Sequence, residues 1–297
     1  MTCSFFLCDV FTTRPFTGNQ LAVVTGAEGL DDAAMQQIAR EFNFSETTFV
    51  LPPESGHTQR VRIFTPTMEV PFAGHPNIGT AFVLAATGRF GSLASRTTVT
   101  FEQMAGVVPL VIEKQDGDIW CELQAPKSLS IGTRIHRQLI ALALSIDAED
   151  VVCAIHEPQI ASVGLPFVVA ELTRAALARV RVNHAGFDAI AAEGVQPDVY
   201  VYCRSGDDYD IRARMFAPLS GVAEDPATGS ASCALAGLLA HQGRDASGDF
   251  RWRIAQGVEM GRPSTLVARA KKKDGVVTST GVGGPSVLVT EGLIHLD

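Results

Sequence analysis

One construction appears twice in this chain, and that repeat limits the fold more than any other feature. Arg62-Ile-Phe-Thr-Pro66 leads into Phe72-Ala-Gly-His-Pro-Asn-Ile-Gly-Thr-Ala81, and Arg214-Met-Phe-Ala-Pro218 leads into Gly221–Gly243. His75-Pro76-x-x-Gly79-Thr80-Ala81 lines up with Asp225-Pro226-x-x-Gly229-Ser230-Ala231 at an offset of 150. Helical patterns follow both motifs, at Phe82–Ala86 and Cys233–Ala240, and each runs out near a glycine. Two matched blocks at nearly equal offsets imply a duplicated half-chain, hence two similar lobes.

In the second copy, Ala231, Ala234, Leu235, Leu238 and Leu239 recur at helical spacing with almost no charge between them, so this helix is expected to be buried on all sides. Pro226 suits a first helical turn and Gly243 a position just past the end. A helix N-terminus offers backbone N–H groups and partial positive charge, a seat for a carboxylate or an oxyanion.

The 297 residues suffice for two lobes of roughly 150 residues each. A 46% hydrophobic and 19% charged composition is that of a chain with ample core. No apolar run reaches the length of a membrane span. The N-terminal stretch lacks a basic segment and is interrupted by Asp9, so no signal peptide and a cytoplasmic location are expected. Net charge is −8, and the one basic run, Lys271–Lys273 beside Asp274-Gly275, reads as a solvated turn, so no nucleic-acid partner is expected. The six cysteines show no metal-ligand spacing, which leaves buried thiols and no metal site as the expectation. Neither a GxGxxG nor a Walker A motif appears, so no dinucleotide or triphosphate site is expected.

Period-two and helical patterns alternate along the chain. Strands are expected at Phe5–Phe11, Leu21–Thr25, Ser45–Leu51 and Gln59–Phe64, with a helix after Asp31 or Asp32 that aligns Met35, Ile38, Ala39 and Phe42. Further strands follow at Thr97–Phe101, Val107–Glu113 and Ile119–Leu123. The second half holds helices at Ile135–Leu144, Arg174–Arg179 and Phe187–Glu193. Its strands are expected at Pro166–Glu171, Val199–Cys203, Asp210–Phe216, Phe250–Ala255, Ser264–Ala270 and Val276–Thr280, before a closing strand at Ser286–Ile294. The fold class is therefore α+β, two pseudo-symmetric lobes of mixed, mostly antiparallel sheet curled around a central helix. The lobes are 1–125, completed by the last strand at 284–297, and 126–283.

If the lobes are related by a pseudo-twofold, their helix N-termini can face one shared cleft. That cleft would gather His75 and Asp225, with Gly79, Thr80, Gly229 and Ser230, and would suit a small anionic metabolite. Glu46 lies among Phe44, Phe49 and Val50, where desolvation would raise its pKa toward neutrality. Each residue alone has a plainer reading: Asp225 as a helix cap, His75 as a loop anchor, Glu46 as a solvated strand edge, Asn19 and Gln20 as turn chemistry. Together they say more. His75 and Asp225 occupy equivalent places in the repeat yet differ in type, and a purely structural duplication has less reason to keep a titratable group at both.

Asp9-Val-Phe-Thr with Pro15-Phe-Thr-Gly-Asn-Gln20, Ser45-Glu-Thr-Thr-Phe-Val50, Val70-Pro-Phe-Ala-Gly-His-Pro-Asn-Ile-Gly79, Glu224-Asp-Pro-Ala-Thr-Gly-Ser-Ala231 and Gln256-Gly-Val-Glu-Met-Gly-Arg-Pro-Ser264 resemble the signature blocks of the phenazine-biosynthesis PhzF-like family, in family order. The resemblance implies the diaminopimelate-epimerase-like fold, a homodimer and chemistry without a cofactor. It implies that Glu46 moves a proton between carbons, as in isomerisation of a dihydro-hydroxyanthranilate, while His75 and Asp225 line the site; these two would hold the substrate and assist proton relay or enolisation. Gly74, Gly229 and Ser230 would supply donors to the substrate, with Asn19 and Gln20 at its rim. Epimerases of this fold use two cysteines at the helix N-termini; this chain has none at 72–80 or 222–231, which disfavours a two-thiol reaction. A non-thiol epimerase or racemase and a non-catalytic binding protein stand as the competing readings.

Overall fold

The computed structural model describes residues 2–115 and 118–296, so Asp297, the last residue of the expected 284–297 segment, lies outside the described residues. The chain divides into two compact units, 1–124 with 283–297, and 125–282.

The first unit comprises β1 (Thr2–Val10), β2 (Asn19–Thr25), α1 (Asp32–Phe42), β3 (Thr47–Leu51), β4 (Gln59–Phe64), β5 (Glu69–Val70), α2 (Gly74–Ala86), β6 (Arg96–Gln103), β7 (Gly106–Gln115) and β8 (Asp118–Gln124). Its strands pair in a ring. β1 pairs antiparallel with β2, β2 parallel with β3, β3 antiparallel with β4, and β4 parallel with β6. β6, β7 and β8 form a meander. β8 then pairs with the chain's last strand, which pairs antiparallel with β1 and closes the circuit. Helix α2 packs against β1, β2, β3, β7 and β8, and Gly74–Ala85 are buried throughout. Gly79 permits this approach, because a Cβ there would lie 2.5 Å from Leu21 Cδ2 and 2.7 Å from Val10 Cγ2. Thr80 is likewise committed to packing, its hydroxyl 2.8 Å from that of Thr48.

Helix α1 makes the β2–α1–β3 crossover that a parallel pair needs. Asp31 Oδ1 accepts from Ala34 N at its start, and Asn43 ends it in the left-handed conformation. Met35, Ile38 and Ala39 bury against Val24, Phe49 and Phe64, with Phe42 at the margin, which is the face their spacing predicts.

The second unit holds β9 (Ser130–Arg134), α3 (Arg137–Leu144), β10 (Val151–Val152), β11 (Gln159–Ser162), β12 (Pro166–Leu172), α4 (Arg174–Arg179), α5 (His184–Ala192), β13 (Val199–Arg204), β14 (Ile211–Ala217), β15 (Val222–Asp225), α6 (Gly229–Gln242), β16 (Gly248–Gln256) and β17 (Ser264–Lys273). The final strand, β18 (Val276–His295), starts here and ends in the first unit. The order of pairings matches that of the first unit. β12 and β13 are parallel across α4 and α5, β13 and β14 antiparallel, β14 and β15 a hairpin, and β14 and β16 parallel across α6. α6 packs on β11, β12, β16 and β17 and is buried from Gly229 to Ala240 except at Ser230.

The repeat extends to one ion pair in each unit. Arg62 grips Glu69 through Nε at 2.7 Å and Nη2 at 2.5 Å, and Arg214 grips Glu224 at 2.7 and 2.8 Å. Each guanidinium lies over the phenylalanine two residues on, 5.1 Å from the Phe64 ring centre and 5.0 Å from that of Phe216. Forked geometry of this kind fixes a strand to its neighbour far better than a single contact.

Three expectations need correcting. Not every thiol is buried: Cys153 is exposed. Asp225-Pro226 does not open a helix: Asp225 ends β15, and α6 begins at Gly229 with Thr228 as N-cap. Gln256 is the reason. Its Nε2 donates to the Asp225 carbonyl at 2.8 Å and its Oε1 accepts from Thr228 N at 3.2 Å, so the segment is held as a loop. The Lys271–Lys273 run is not uniformly solvated either. Lys272 is buried, and its Nζ donates to the carbonyls of His241 and Gly243 at 3.2 and 2.9 Å, closing the C-terminal end of α6 with a cation.

Candidate active site

Because β2 and β3 are parallel neighbours, with Ala22 opposite Thr47, the residues that lead into both strands lie at one edge of the sheet. Asn19 opens β2, and Ser45 and Glu46 immediately precede β3. The first turn of α2 brings His75 to the same edge. Asn19 Nδ2 lies 3.2 Å from His75 Nδ1, Ser45 Oγ donates to Asn19 Oδ1 at 3.4 Å, and His75 Nε2 is 3.5 Å from Glu46 Oε2. Asn19 and His75 are 2% and 5% exposed, whereas the Glu46 side chain keeps 19% of its surface open. Oε2 is the enclosed oxygen: it is buried and makes no hydrogen bond among the described residues.

That placement changes what Glu46 can do. Loss of hydration disfavours the carboxylate and pushes the group up to about 7, against a smaller opposing contribution from the Ser45 hydroxyl. A carboxyl group that titrates near neutrality can both give and accept a proton at ordinary pH.

The second unit holds Asp225, Gly229 and Ser230. Asp225 is 8% exposed, and Thr228 Oγ1 donates a short hydrogen bond to its Oδ2. Gln256 Nε2 also donates to Thr228 Oγ1 at 3.0 Å, and Ser264 Oγ donates to the Pro226 carbonyl at 2.8 Å. Thr228, Gln256 and Ser264 thus build the turn that carries Asp225. Gly229 and Ser230 are the first two residues of α6, as Gly74 is of α2, so each lies where a helix presents backbone N–H groups. Gln20 follows Asn19 along β2 and therefore faces the opposite side of the strand. Cys8 and Cys121 are buried, and burial pushes both thiols up, away from nucleophilic use.

Sequence reading missed the parts played by Ser45, Thr228 and Gln256. All three stand in blocks that carry the family resemblance, and this is the one signal that marked them.

The chain's residues 8–292 match the family model described as phenazine biosynthesis-like protein. The chain belongs to that family. It is 37% identical over 306 residues to an uncharacterised isomerase of Mesorhizobium japonicum, covering 99% of each chain. It is 36% identical over 294 residues to the trans-2,3-dihydro-3-hydroxyanthranilate isomerase of Pseudomonas aeruginosa, covering 98% of this chain and 99% of that one. Among solved structures, a phenazine biosynthesis protein of the PhzF family from Bacillus anthracis superposes with a TM-score of 0.89 at 24% identity, covering 100% of both chains. The fold class is α+β, and this member of the family is an enzyme of the isomerase class. No helix among the described residues is long and apolar enough to cross a membrane.

Proposed function

We propose that this protein shifts a proton from one carbon to another in a small carboxylate-bearing ring metabolite of the trans-2,3-dihydro-3-hydroxyanthranilate kind, with Glu46 carrying the proton and no cofactor taking part. The observation behind this reading is the state of Glu46: one oxygen buried beside the His75 imidazole, the side chain still open to a ligand, and ionisation pushed to about 7. In its ionised form the carboxylate removes a proton from an acidified C–H, and the electron pair left behind spreads into the substrate's conjugated system. Glu46, now neutral, returns a proton to a different carbon, so bonds and charge balance without any redox change. Supporting this chemistry are the 36% identity to an isomerase named for that substrate and the burial that keeps the two states of Glu46 close in free energy. The assignment of Gly74, Gly229 and Ser230 to substrate binding rests on the family resemblance and on the helix-terminus donors, and that of His75 and Asp225 to assisting the proton transfer rests on the resemblance.

Incubation with trans-2,3-dihydro-3-hydroxyanthranilate in D2O tests the reading. Conversion to the ring isomer, with any deuterium taken up found at the new ring carbon and all turnover abolished by Glu46→Gln, is the expected result. If that substrate is inert, a panel of amino and hydroxy acids follows. Deuterium at the original stereocentre would mean epimerisation, and neither product nor label would mean binding without turnover; either defeats the proposal.

A further inference from the structure

A neutral imidazole carries one proton, and the partner of one nitrogen decides which nitrogen holds it. His75 Nδ1 faces the amide nitrogen of Asn19 at 3.2 Å, and the amide is oriented with its oxygen toward Ser45 Oγ at 3.4 Å. An amide NH2 group can only donate. Nδ1 is therefore the acceptor, and the ring proton belongs on Nε2, the nitrogen 3.5 Å from Glu46 Oε2.

We propose that Asn19 is a positioning residue, which fixes His75 as the Nε2–H tautomer so that the ring offers Glu46 a donor and not a lone pair. This deepens the proton-shift reading and rests on it. A carboxyl group that cycles between neutral and ionised forms needs a donor at its enclosed oxygen when the charge appears, and Oε2 has no hydrogen bond among the described residues. The Nε2–H tautomer supplies that donor once the 3.5 Å gap tightens. The opposite tautomer would set a nitrogen lone pair against a carboxylate oxygen at the same moment. A second consequence concerns the neutral form. With Oε2 facing an N–H, the transferable proton resides on Oε1, so the carboxyl group's delivering oxygen is the one that does not face the ring. Asn19 thus moves from the rim of the site, where sequence reading puts it, to the support of its base.

The experiment reads the tautomer directly. Full-length protein labelled with 15N-histidine is examined at pH 8.5 by long-range proton–nitrogen correlation, without ligand, and His75 is assigned by difference from His75→Gln. The wild-type ring is expected to show a pyrrole-type Nε2 and a pyridine-type Nδ1. Asn19→Asp keeps the shape but exchanges the donor for an acceptor, so Nδ1 is expected to become pyrrole-type. In this variant kcat on trans-2,3-dihydro-3-hydroxyanthranilate should fall by on the order of 10²–10⁴, the scale of losing acid–base support. A pyrrole-type Nδ1 in the wild-type protein overturns the inference, and this needs no variant to fold. A pyridine-type Nδ1 persisting in a folded Asn19→Asp protein overturns it too. The two readings fail separately. Full turnover by Glu46→Gln with the expected wild-type tautomer defeats the proton shift alone, whereas loss of turnover in Glu46→Gln with a reversed tautomer defeats the role of Asn19 alone.

Discussion

Replacing Glu46 by Gln exchanges a titratable oxygen for an amide of nearly the same shape, and it should separate the stability of the first unit from its chemistry. Burial raises the Glu46 carboxyl from 4.5 to about 7, so the folded state holds this proton more tightly than the unfolded chain does. A group shifted in this direction costs nothing below the unfolded value. Stability is then lost as pH rises through the window from 4.5 to 7, and the full cost is present above it. At 1.36 kcal/mol per pKa unit the cost is about 3 kcal/mol. Gln resembles the protonated form at every pH. Glu46→Gln should therefore match the wild type near pH 4 and exceed it by about 3 kcal/mol at pH 8, roughly 5 °C in Tm for a chain of 297 residues. Urea titrations of both proteins at half-unit intervals from pH 4 to 8.5, followed by fluorescence, give the difference curve. Turnover should fall by on the order of 10²–10⁴ at pH 7–8, where the wild-type carboxylate is ionised, and the gap should narrow toward pH 4. A variant equal to or less stable than wild type at pH 8, or a difference that does not change with pH, would refute the desolvation argument on which the role of Glu46 depends.

Other substitutions probe the frame around the site. Arg214 is 7% exposed, forks onto the half-buried Glu224 and also donates to the carbonyls of Leu177 and Val180, so Arg214→Ala should cost up to about 3 kcal/mol, the low end of the range for breaking a buried pair. Arg60→Ala, at a half-open pair with exposed Glu54, should cost at most about 1 kcal/mol in the same denaturation assay. Gly79→Ala drives a methyl group into Leu21 and Val10 and should destabilise by about 1–3 kcal/mol, seen as a lower urea midpoint at unchanged m. Gln256→Leu releases the turn that carries Asp225. Substrate KM should then rise about tenfold or more, while the far-UV circular dichroism spectrum stays that of the wild type.

Much of the architecture is readable from residue order because it depends on local pattern. The α1 face of Met35, Ile38 and Ala39, the period-two strands and the recurring Arg-x-Phe strands with their Pro-flanked helices all rest on neighbours close in sequence. The places where reading failed share a cause. Nothing local to Asp225-Pro226 distinguishes a helix start from a loop. The decision is made by the Gln256 side chain, 31 residues away, which outcompetes the helix for the Asp225 carbonyl and the Thr228 N–H. Lys272 looks solvated beside two other lysines until β17 places it under the open end of α6. The Ser45–Asn19–His75–Glu46 contacts join residues from two strand approaches and a helix, so only the parallel pairing of β2 with β3 brings them together. Side-chain hydrogen bonds across elements leave no periodic trace in the chain.

Strand β18 has a consequence for synthesis. The ring of the first unit is closed by residues from Gly283 onward, although the rest of that unit is complete by Gln124. On a ribosome adding roughly 5–20 residues per second, the half-built ring waits on the order of 10–30 s for its last member. During that interval β1 and β8 each present an unpaired edge, the kind of surface that other extended segments recognise. The early edges must therefore remain receptive to one late partner while refusing all others, which makes the synthesis of β18 the start of the first unit's final assembly.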